Sequence, residues 1–431
     1  MSELPKGWES KQLKELFSFV LGGDWGKDPE YSDADFETVY CIRGTEFRNW
    51  RKEKGLTSVE RKVKSSSVEK RKLQEGDILI EISGGGPDQP VGRTILIDEQ
   101  ALNVHENMPL VCTNFIRLAR PQDSVSSRYL NYYLQSFYLS GEVTKYQGGS
   151  NNLRNLKFKE YEKIEVPIAP LEEQKRIADK LDSVLAKVEA AQARLDKIPA
   201  ILKRFRQSVL AAATSGELTR DWREEHGVSI DDWKQSTLSE VSICLDPNPS
   251  HRYPKADSSG VPILSTQQFV GLDSWTTDKS KLVSRDFFLE RREKTKFLED
   301  DIIFARKGRL GLARMAPKGF DYVYSHTVFI VRARKINKEY LLWLLRQEQT
   351  VNWLLKEMNS NTGVPTLGKA IFEKLPVPLP CEKEQVTIVD KVSGLFEHAE
   401  TIEKQYNAAK VRLEKLTQSI LAKAFRGELV S

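Results

Sequence analysis

Apolar positions recur at alternating steps of four and three residues in two long segments of this chain. Charged residues flank them over more than four heptads in each segment, which is typical of a coiled-coil seam. The first seam consists of Ile177, Leu181, Val184, Val188, Ala191, Leu195, Ile198, Leu202, Phe205 and Val209. The second seam consists of Ile388, Val392, Leu395, Ala399, Ile402, Tyr406, Ala409, Leu413, Leu416 and Ile420. The spacing predicts one long helix in each half of the chain.

The two seams belong to a duplicated segment. When residues 129–220 are shifted by 211 positions, they align with residues 340–431 without a gap, and Gln174 falls on Gln385. A duplication that keeps its register over this length predicts two equivalent halves in a pseudo-twofold arrangement.

The boundaries of the two helices carry similar signals. Pro170 and Pro380 precede the seams, and Gly216 and Gly427 follow them, as the rules for helix starts and stops expect. Pro199 lies near the middle of the first helix. Because proline lacks a backbone donor, its position predicts a kink there.

We expect the two seams to pair with each other. If a twofold axis relates the halves, the pair is an antiparallel coiled coil with one domain at each end. A helix over residues 177–209 is about 50 Å long at ~1.5 Å per residue. Successive major-groove faces of DNA are about 34 Å apart, so such a rod can set the distance between two DNA sites. The alternative is that each helix packs on its own domain.

Short apolar runs before each helix predict strands, so the predicted fold class is α+β. The chain divides into a first head (residues 1–165), a first helical segment (166–220), a second head (221–376) and a second helical segment (377–431). The heads resemble each other less than the helices do, as expected if they read different targets. The predicted strands are Val39–Ile42, Gly76–Ile80, Thr94–Ile97, Phe115–Leu118, Val261–Leu264, Asp300–Phe304 and Val328–Val331, and the predicted short helices are Tyr129–Phe137 and Tyr340–Arg346.

Composition places the chain among soluble globular proteins. Its 431 residues suffice for two to four domains, and its longest apolar runs are too short for a transmembrane helix. The N-terminus has no signal-peptide pattern, which predicts a cytoplasmic protein with no membrane partner. The four cysteines have no CxxC spacing, so they fit reduced thiols rather than a disulfide framework or a zinc site.

The net charge of +5 is unevenly spread. Residues 43–72 hold eleven Lys/Arg against four Asp/Glu, and residues 306–335 hold eight against one. Each run alone is typical of a solvated loop. Their similar places in the two halves favour two contact zones for a polyanion.

The common catalytic motifs are missing from the sequence. Gly86–Thr94 departs from the spacing of a phosphate loop and has Arg where Lys is required. Asp246–Pro249 lacks the aromatic residue of the amino-methyltransferase motif. The five histidines are scattered and predict no metal site. We therefore interpret the chain as a binder, with no catalytic, cofactor-binding or metal-binding residues of its own.

Three motifs in the helical segments carry a family resemblance. Residues 168–178 read IAPLEEQKRIA, residues 202–210 read LKRFRQSVL, and residues 416–429 read LTQSILAKAFRGEL. With two variable heads on matched helices, these motifs resemble the specificity subunit of type I restriction–modification systems, and most closely its K-type (type IA) branch.

The resemblance implies a division of labour within a larger complex. Each head would be a target recognition domain for one half of a split DNA sequence, and the helices would fix the spacer. The helices would also hold two modification methyltransferase subunits, which carry S-adenosylmethionine and methylate adenine N6 on a flipped base. Two restriction/translocase subunits, which use ATP and Mg, would complete the nuclease.

Candidate DNA-binding residues come from polar loops beside the predicted strands. Arg pairs with guanine, and Asn or Gln pairs with adenine, while other basic residues meet phosphates. In the first head the candidates are Arg43, Glu46, Arg48, Asn49, Lys52, Ser83, Arg93 and Lys145, with Gly148, Gly149, Ser150, Asn151 and Asn152 in a polar turn. In the second head they are Gln267, Gln268, Arg306, Lys307, Arg309 and Arg314, with Asn359, Ser360, Asn361 and Thr362 in the corresponding turn.

Two other functions remain open at the level of sequence. One is a coiled-coil interaction scaffold with two protein-binding heads, which strongly salt-dependent DNA binding would contradict. The other is a self-sufficient DNA enzyme, which turnover by the isolated chain would support.

Overall fold

The computed structural model describes residues 4–86, 89–106, 108–150, 153–249, 252–255, 258–358 and 366–430. The chain forms two compact units. Unit 1 comprises residues 1–195 and 408–431, and unit 2 comprises residues 196–407. Each unit therefore contains one head together with helical residues from both halves of the duplication.

Unit 1 contains twelve strands in its described part. They are β1 (Glu9–Gln12), β2 (Phe17–Gly22), β3 (Phe36–Ile42), β4 (Val59–Lys64), β5 (Ile78–Glu81), β6 (Ser83–Gly84), β7 (Thr94–Leu96), β8 (Leu110–Cys112), β9 (Ile116–Pro121), β10 (Gln147–Ser150), β11 (Leu153–Leu156) and β12 (Glu165–Ile168). Its helices are α1 (Trp50–Glu53), α2 (Ser65–Arg71), α3 (Glu99–Asn103), α4 (Ser127–Leu139), α5 (Phe158–Tyr161) and α6 (Leu171–Leu195).

Two sheets form most of the first head. One has the strand order β2-β9-β5-β7 and is antiparallel throughout. The other has the order β4-β3-β8, in which β3 and β8 run parallel. Helices α4 and α6 share one apolar core with residues 420, 421, 424 and 425. There the ring of Phe425 meets the rings of Tyr129 and Tyr133 edge-on at 5.2 Å.

Unit 2 repeats this plan with different loops. Its strands are β13 (Lys234–Thr237), β14 (Ser242–Leu245), β15 (Val261–Leu264), β16 (Phe269–Val270), β17 (Ser274–Trp275), β18 (Leu282–Val283), β19 (Ile302–Ala305), β20 (Ala313–Met315), β21 (Val323–Tyr324), β22 (Val328–Ala333) and β23 (Pro376–Leu379). Its helices are α7 (Ile198–Thr214), α8 (Arg220–His226), α9 (Leu238–Val241), α10 (Arg285–Thr295), α11 (Lys338–Arg346), α12 (Glu348–Glu357) and α13 (Lys369–Phe372), and α14 (Glu382–Ala424) continues into unit 1.

The sheet order β14-β22-β19-β20 of the second head matches β2-β9-β5-β7 of the first. In both heads a buried aspartate immediately precedes an inner strand of this sheet, Asp77 before β5 and Asp301 before β19. Asp77 accepts from the backbone N of Gln74 at 2.7 Å and forms a two-bond ion pair with Arg120. Asp301 forms the same ion pair with Arg332, at 2.7 and 2.8 Å. Asp77 and Asp301 are therefore part of the interior of their heads.

The duplication is also visible where each head joins the helix that follows it. The Tyr129 hydroxyl donates to a backbone carbonyl of β12 at 2.7 Å, and Tyr340 donates to the equivalent carbonyl of β23 at 2.8 Å. The Gln174 amide donates to the carbonyl of Ala169 at 2.8 Å and accepts a backbone N–H at 2.9 Å. Gln385 repeats both bonds at 2.8 and 2.7 Å. The predicted α+β class and the equivalence of the halves are confirmed.

Near Pro199, where a kink was predicted, the helix is interrupted altogether. Helix α6 ends at Leu195, and α7 begins at Ile198 with Pro199 in its first turn, where a missing backbone donor has no cost. The first helical segment is therefore two helices, and the 50 Å single rod expected over residues 177–209 is wrong. The second helical segment, in contrast, forms one continuous helix, α14. Its 43 residues span about 64 Å at ~1.5 Å per residue.

Within unit 2 the helices pair antiparallel, as predicted. Thr219 donates to Glu384, Leu218 accepts from Lys391, and Arg206 forms an ion pair with Glu403 at 2.7 Å. As residue numbers fall from 219 to 206 on one side, they rise from 384 to 403 on the other. Val209 and Leu210 share the core of this unit with Ile388, Val392 and Phe396 of α14.

The seams pair with each other, as expected, and also pack on the heads, which was the alternative. Ile177, Leu181 and Leu185 are buried with side chains of the first head as well as with the end of α14. Other seam positions stay open. Phe205 is 37% exposed and Ile402 is 46% exposed. No helix in the described ranges is long and apolar enough to span a membrane.

Candidate nucleic-acid interface

A small three-stranded sheet brings together candidates that are distant in the first head. Strand β11 pairs with β10 on one side and with β6 on the other. Asn155 of β11 therefore lies opposite Gly148 and also opposite Ser83. The polar turn predicted at residues 147–152 is wrong for its first four residues, because these form strand β10.

Gly149 allows a close approach between the two strands of this hairpin. Its φ is +117°, which side-chain-bearing residues rarely adopt. A Cβ atom there would lie 2.4 Å from the carbonyl oxygen of Leu153. The glycine therefore makes this tight hairpin possible.

A cavity of about 570 Å³ lies beside this sheet. It gathers four of the predicted candidates, Arg43, Arg48, Ser83 and Arg93. Its other lining residues are Trp25, Gly44, Thr45, Glu81, Gly84, Gly85, Gln89, Thr113, Asn114 and Phe115. The cavity is thus the place where candidates from separate loops of the first head converge.

Arg93 holds one wall of the cavity. Its Nε and Nη2 donate to the two oxygens of Glu81 at 2.9 and 2.6 Å, and Nη2 also donates to the carbonyl of Gly44 at 2.8 Å. The Glu81 side chain is 3% exposed. A Cβ atom at Gly44 would lie 2.9 Å from that carboxylate, so the glycine allows the loop to approach it.

Arg43 and Glu46 form a second internal ion pair. Arg43 Nη2 donates to Glu46 Oε1 at 2.7 Å, and the Arg43 backbone N donates to Oε2 at 2.6 Å. The hydrogen bond to Glu46 raises the pKa of the Arg43 guanidinium. Glu46 is only 4% exposed, so the structure places this candidate inside the head, where it holds Arg43.

Other candidates of the first head lie at its surface. Arg48, Asn49 and Lys52 are all exposed, and the Asn49 amide donates to Glu53 at 3.1 Å. Lys145 is exposed and forms an ion pair with a neighbouring glutamate on its own helical turn. These exposed cationic and amide side chains are suited to binding a polyanion.

In the second head, Gln267 and Arg309 come together. Gln267 is exposed in a turn, and Arg309 Nη1 donates to two carbonyls of that turn, those of Thr266 at 3.1 Å and Phe269 at 3.3 Å. Gln268 points inward and is 3% exposed, with its amide oxygen accepting from the backbone N and the hydroxyl of Ser265. Gln268 therefore shapes the turn that presents Gln267.

The remaining basic candidates of the second head are largely interior. Arg306 is 8% exposed and pairs with Asp246 at 2.6 Å, while Lys307 is half-buried. Arg314 is 2% exposed and donates to the carbonyls of Val270, at 3.1 Å, and Gly271, at 3.2 Å. Burial lowers its pKa to about 10. Arg314 holds this loop from within, a position at odds with the predicted phosphate contact.

Some candidates lie outside the described residues. They are Asn151, Asn152, Asn359, Ser360, Asn361 and Thr362, and for Ser150 only the backbone is described. Their predicted contacts with DNA stay predictions.

Sequence reasoning missed Asn114 and Phe115, which also line the cavity. The strand predicted from Phe115 begins at Ile116, so both residues lie in a turn between β8 and β9. The available signal in the sequence was an aromatic residue directly after the polar pair Thr113 and Asn114. It was missed because Phe115 looks like the first residue of the apolar strand that follows.

The described ranges contain no cluster of three or more His, Cys, Asp or Glu that could hold a metal ion. The buried carboxylates Glu46, Glu81, Asp77 and Asp301 are instead paired with arginines. Two α+β heads with polar, partly basic surfaces on a duplicated helical frame are the architecture of a recognition protein.

The sequence matches the type I restriction modification DNA specificity domain over residues 5–200 and 230–410. The chain belongs to this family, and it is a specificity subunit, the non-catalytic part of a type I restriction–modification complex.

Curated relatives agree over the whole chain. The specificity subunit of the StySPI type I restriction enzyme from Salmonella potsdam is 31% identical over 444 residues, covering 100% of this chain and 90% of that relative. The EcoKI specificity subunit from Escherichia coli (strain K12) is 29% identical over 441 residues, with the same coverage. The predicted likeness to the K-type branch is confirmed.

Solved structures share the fold. One of them comes from a study of complex assembly and conformational transition of the type I R-M system. Its TM-score is 0.67 at 16% sequence identity, and the match covers 100% of both chains. The HsdS subunit from Thermoanaerobacter tengcongensis has a TM-score of 0.56 at 17% identity, with 99% of this chain and 98% of that chain covered.

Proposed function

We propose that each head reads one half of a split DNA sequence and that the helices set the spacing between the halves. The observation that carries this proposal is a contrast within the duplication. The hydrogen bonds at the junctions of head and helix agree within 0.2 Å between the copies, whereas the exposed loops carry different polar residues, with Arg48 in one head and Gln267 in the other. Matching head–helix junctions combined with different exposed loops suit a protein that recognises two different half-sites.

We propose further that the open seam positions receive partner subunits. Phe205 and Ile402 have the spacing of core residues but remain 37% and 46% exposed. Half-exposed apolar seam positions are typical of a helical bundle that another chain completes. The proposed partners are two methyltransferase subunits, which carry S-adenosylmethionine and methylate adenine N6. Two restriction/translocase subunits, which use ATP and Mg, would join them in the cytoplasm.

The test of DNA reading is the salt dependence of binding by the chain in complex with its methyltransferase subunit. If the exposed basic residues contact phosphates, affinity falls by about 10³-fold or more between 50 and 200 mM salt. Lys52→Ala is expected to weaken binding to all sequences and to lower the slope of log affinity against log salt by about one.

The methyltransferase subunit alone is the control, because it isolates what this chain adds. A salt slope that is the same with and without this chain would contradict the proposal and favour a protein-binding scaffold.

A further inference from the structure

The polar residues around the cavity of the first head fall into two groups. Arg43 and Arg93 are bound to the buried carboxylates of Glu46 and Glu81. Their guanidinium groups are therefore already used within the head. Arg48 lines the same cavity, is exposed, and has no side-chain hydrogen bond or ion pair with any residue that the structure describes. Only one of these three arginines is thus free to bind a ligand.

The turn at Asn114 and Phe115 is held firmly by its backbone. The Phe115 carbonyl accepts from the backbone N of Ile82 at 2.9 Å and from that of Ser83 at 3.2 Å. The Phe115 backbone N donates to the Thr113 hydroxyl at 3.2 Å. The turn is therefore tied to the strand segment that forms the opposite part of the cavity wall.

The side chains of this turn are nevertheless unused. Phe115 is 54% exposed, and Asn114 is exposed without a side-chain hydrogen bond to any described residue. Within its own head, an exposed phenylalanine on an ordered turn gains little from packing. A group that is already ordered loses little freedom when it binds, which favours affinity and discrimination.

The chemistry of these three side chains matches the edges of base pairs in the major groove. An asparagine amide can form two hydrogen bonds with adenine, and an apolar ring can contact the methyl group of thymine. An arginine can form two hydrogen bonds with guanine. The glycines Gly84 and Gly85 line the same cavity and add no side chains that would block it.

We propose that Asn114, Phe115 and Arg48 form the base-reading site of the first head. Arg43 and Arg93 are positioning residues, which fix the loops of the site through Glu46 and Glu81. This inference rests on the proposed function, because it assigns residues to the reading of one half-site.

The test uses the complex with the methyltransferase subunit, after a map of methylated sites has given the split motif. Binding is measured on the cognate duplex and on duplexes altered in one half-site or the other. For Asn114→Ala, Phe115→Ala and Arg48→Ala, discrimination at one half-site is expected to fall by about tenfold or more. Discrimination at the other half-site is expected to stay unchanged, which provides an internal control.

Lys52→Ala is the matched control, since Lys52 is also exposed and lies four positions after Arg48, in α1. It should weaken binding to all three duplexes equally. Thermal unfolding checks that each variant is folded, as expected for substitutions of exposed side chains.

The possible failures can be told apart. A wild-type complex without a split motif would overturn the proposed function itself. A wild-type split motif with unchanged discrimination in all three variants would overturn only the base-reading site. Loss of discrimination at both half-sites in folded variants would also contradict it, since the assignment is to one head.

Discussion

At the scale of single residues, the duplication provides two versions of the same carboxylate. Glu384 is fully buried and accepts from Arg223 at 2.7 Å, Thr219 at 2.7 Å and Trp233 at 2.8 Å. Its equivalent, Glu173, is half-buried and accepts from the indole of a single tryptophan at 3.2 Å. The carboxylate at this position of the duplicated segment is thus much more deeply buried in the second copy than in the first.

We expect Glu384→Ala to lower the free energy of unfolding of unit 2 by about 3 kcal/mol, because it leaves the buried Arg223 guanidinium without its partner. Glu173→Ala, the matched control, should cost unit 1 only about 1 kcal/mol. Hydrogen exchange measures both, since it reports each unit separately. If both variants lost the same free energy of unfolding, the buried ion pair would contribute no more than the single hydrogen bond of Glu173.

The residue scale is also where sequence reasoning reached its limit. Arg43, Arg48 and Arg93 look alike in the sequence, and all three were predicted to bind DNA. Arg93 is held by a carboxylate 12 positions away and by a carbonyl 49 positions away, so only the folded chain reveals that it is engaged. Long-range pairing, which no local pattern encodes, engages Arg93, whereas Arg43 is engaged by Glu46 only three positions away.

At the scale of elements, the helices were largely predictable and their packing was not. The apolar period and the flanking Pro and Gly predicted where α6 and α14 begin and where α7 and α14 end. The period could not say which seam positions this chain buries itself. Leu202 is 5% exposed, but Phe205, one seam position further, is 37% exposed.

The open seam predicts a partner contact that can be tested on α14. Ile402→Ser should weaken docking of the methyltransferase subunit by about tenfold or more, since a fully buried isoleucine contributes roughly 1.5–3 kcal/mol. Gln405→Ser, at an exposed polar position of the same helix, should leave docking unchanged. Titration calorimetry measures the affinity. Docking that is equally strong in both variants would place the partner elsewhere.

At the scale of the whole molecule, the duplication is what made the fold class predictable. A repeat in register implies two like halves before any strand is assigned, and the matching sheet orders of the two heads agree with it. The pairing within the heads was not predictable. Strands β3 and β8 run parallel although about 70 residues separate them, and neither strand carries a signal for the other.

We expect this chain to determine the DNA sequence at which the methyltransferase subunit acts. The most direct measurement is a genome-scale map of methylated adenines in DNA treated with the chain, the methyltransferase subunit and S-adenosylmethionine, against the methyltransferase subunit alone. We predict a split motif with a fixed spacer that appears only when this chain is present. If an intact complex methylated the same sites as the methyltransferase subunit alone, this role in sequence recognition would be contradicted.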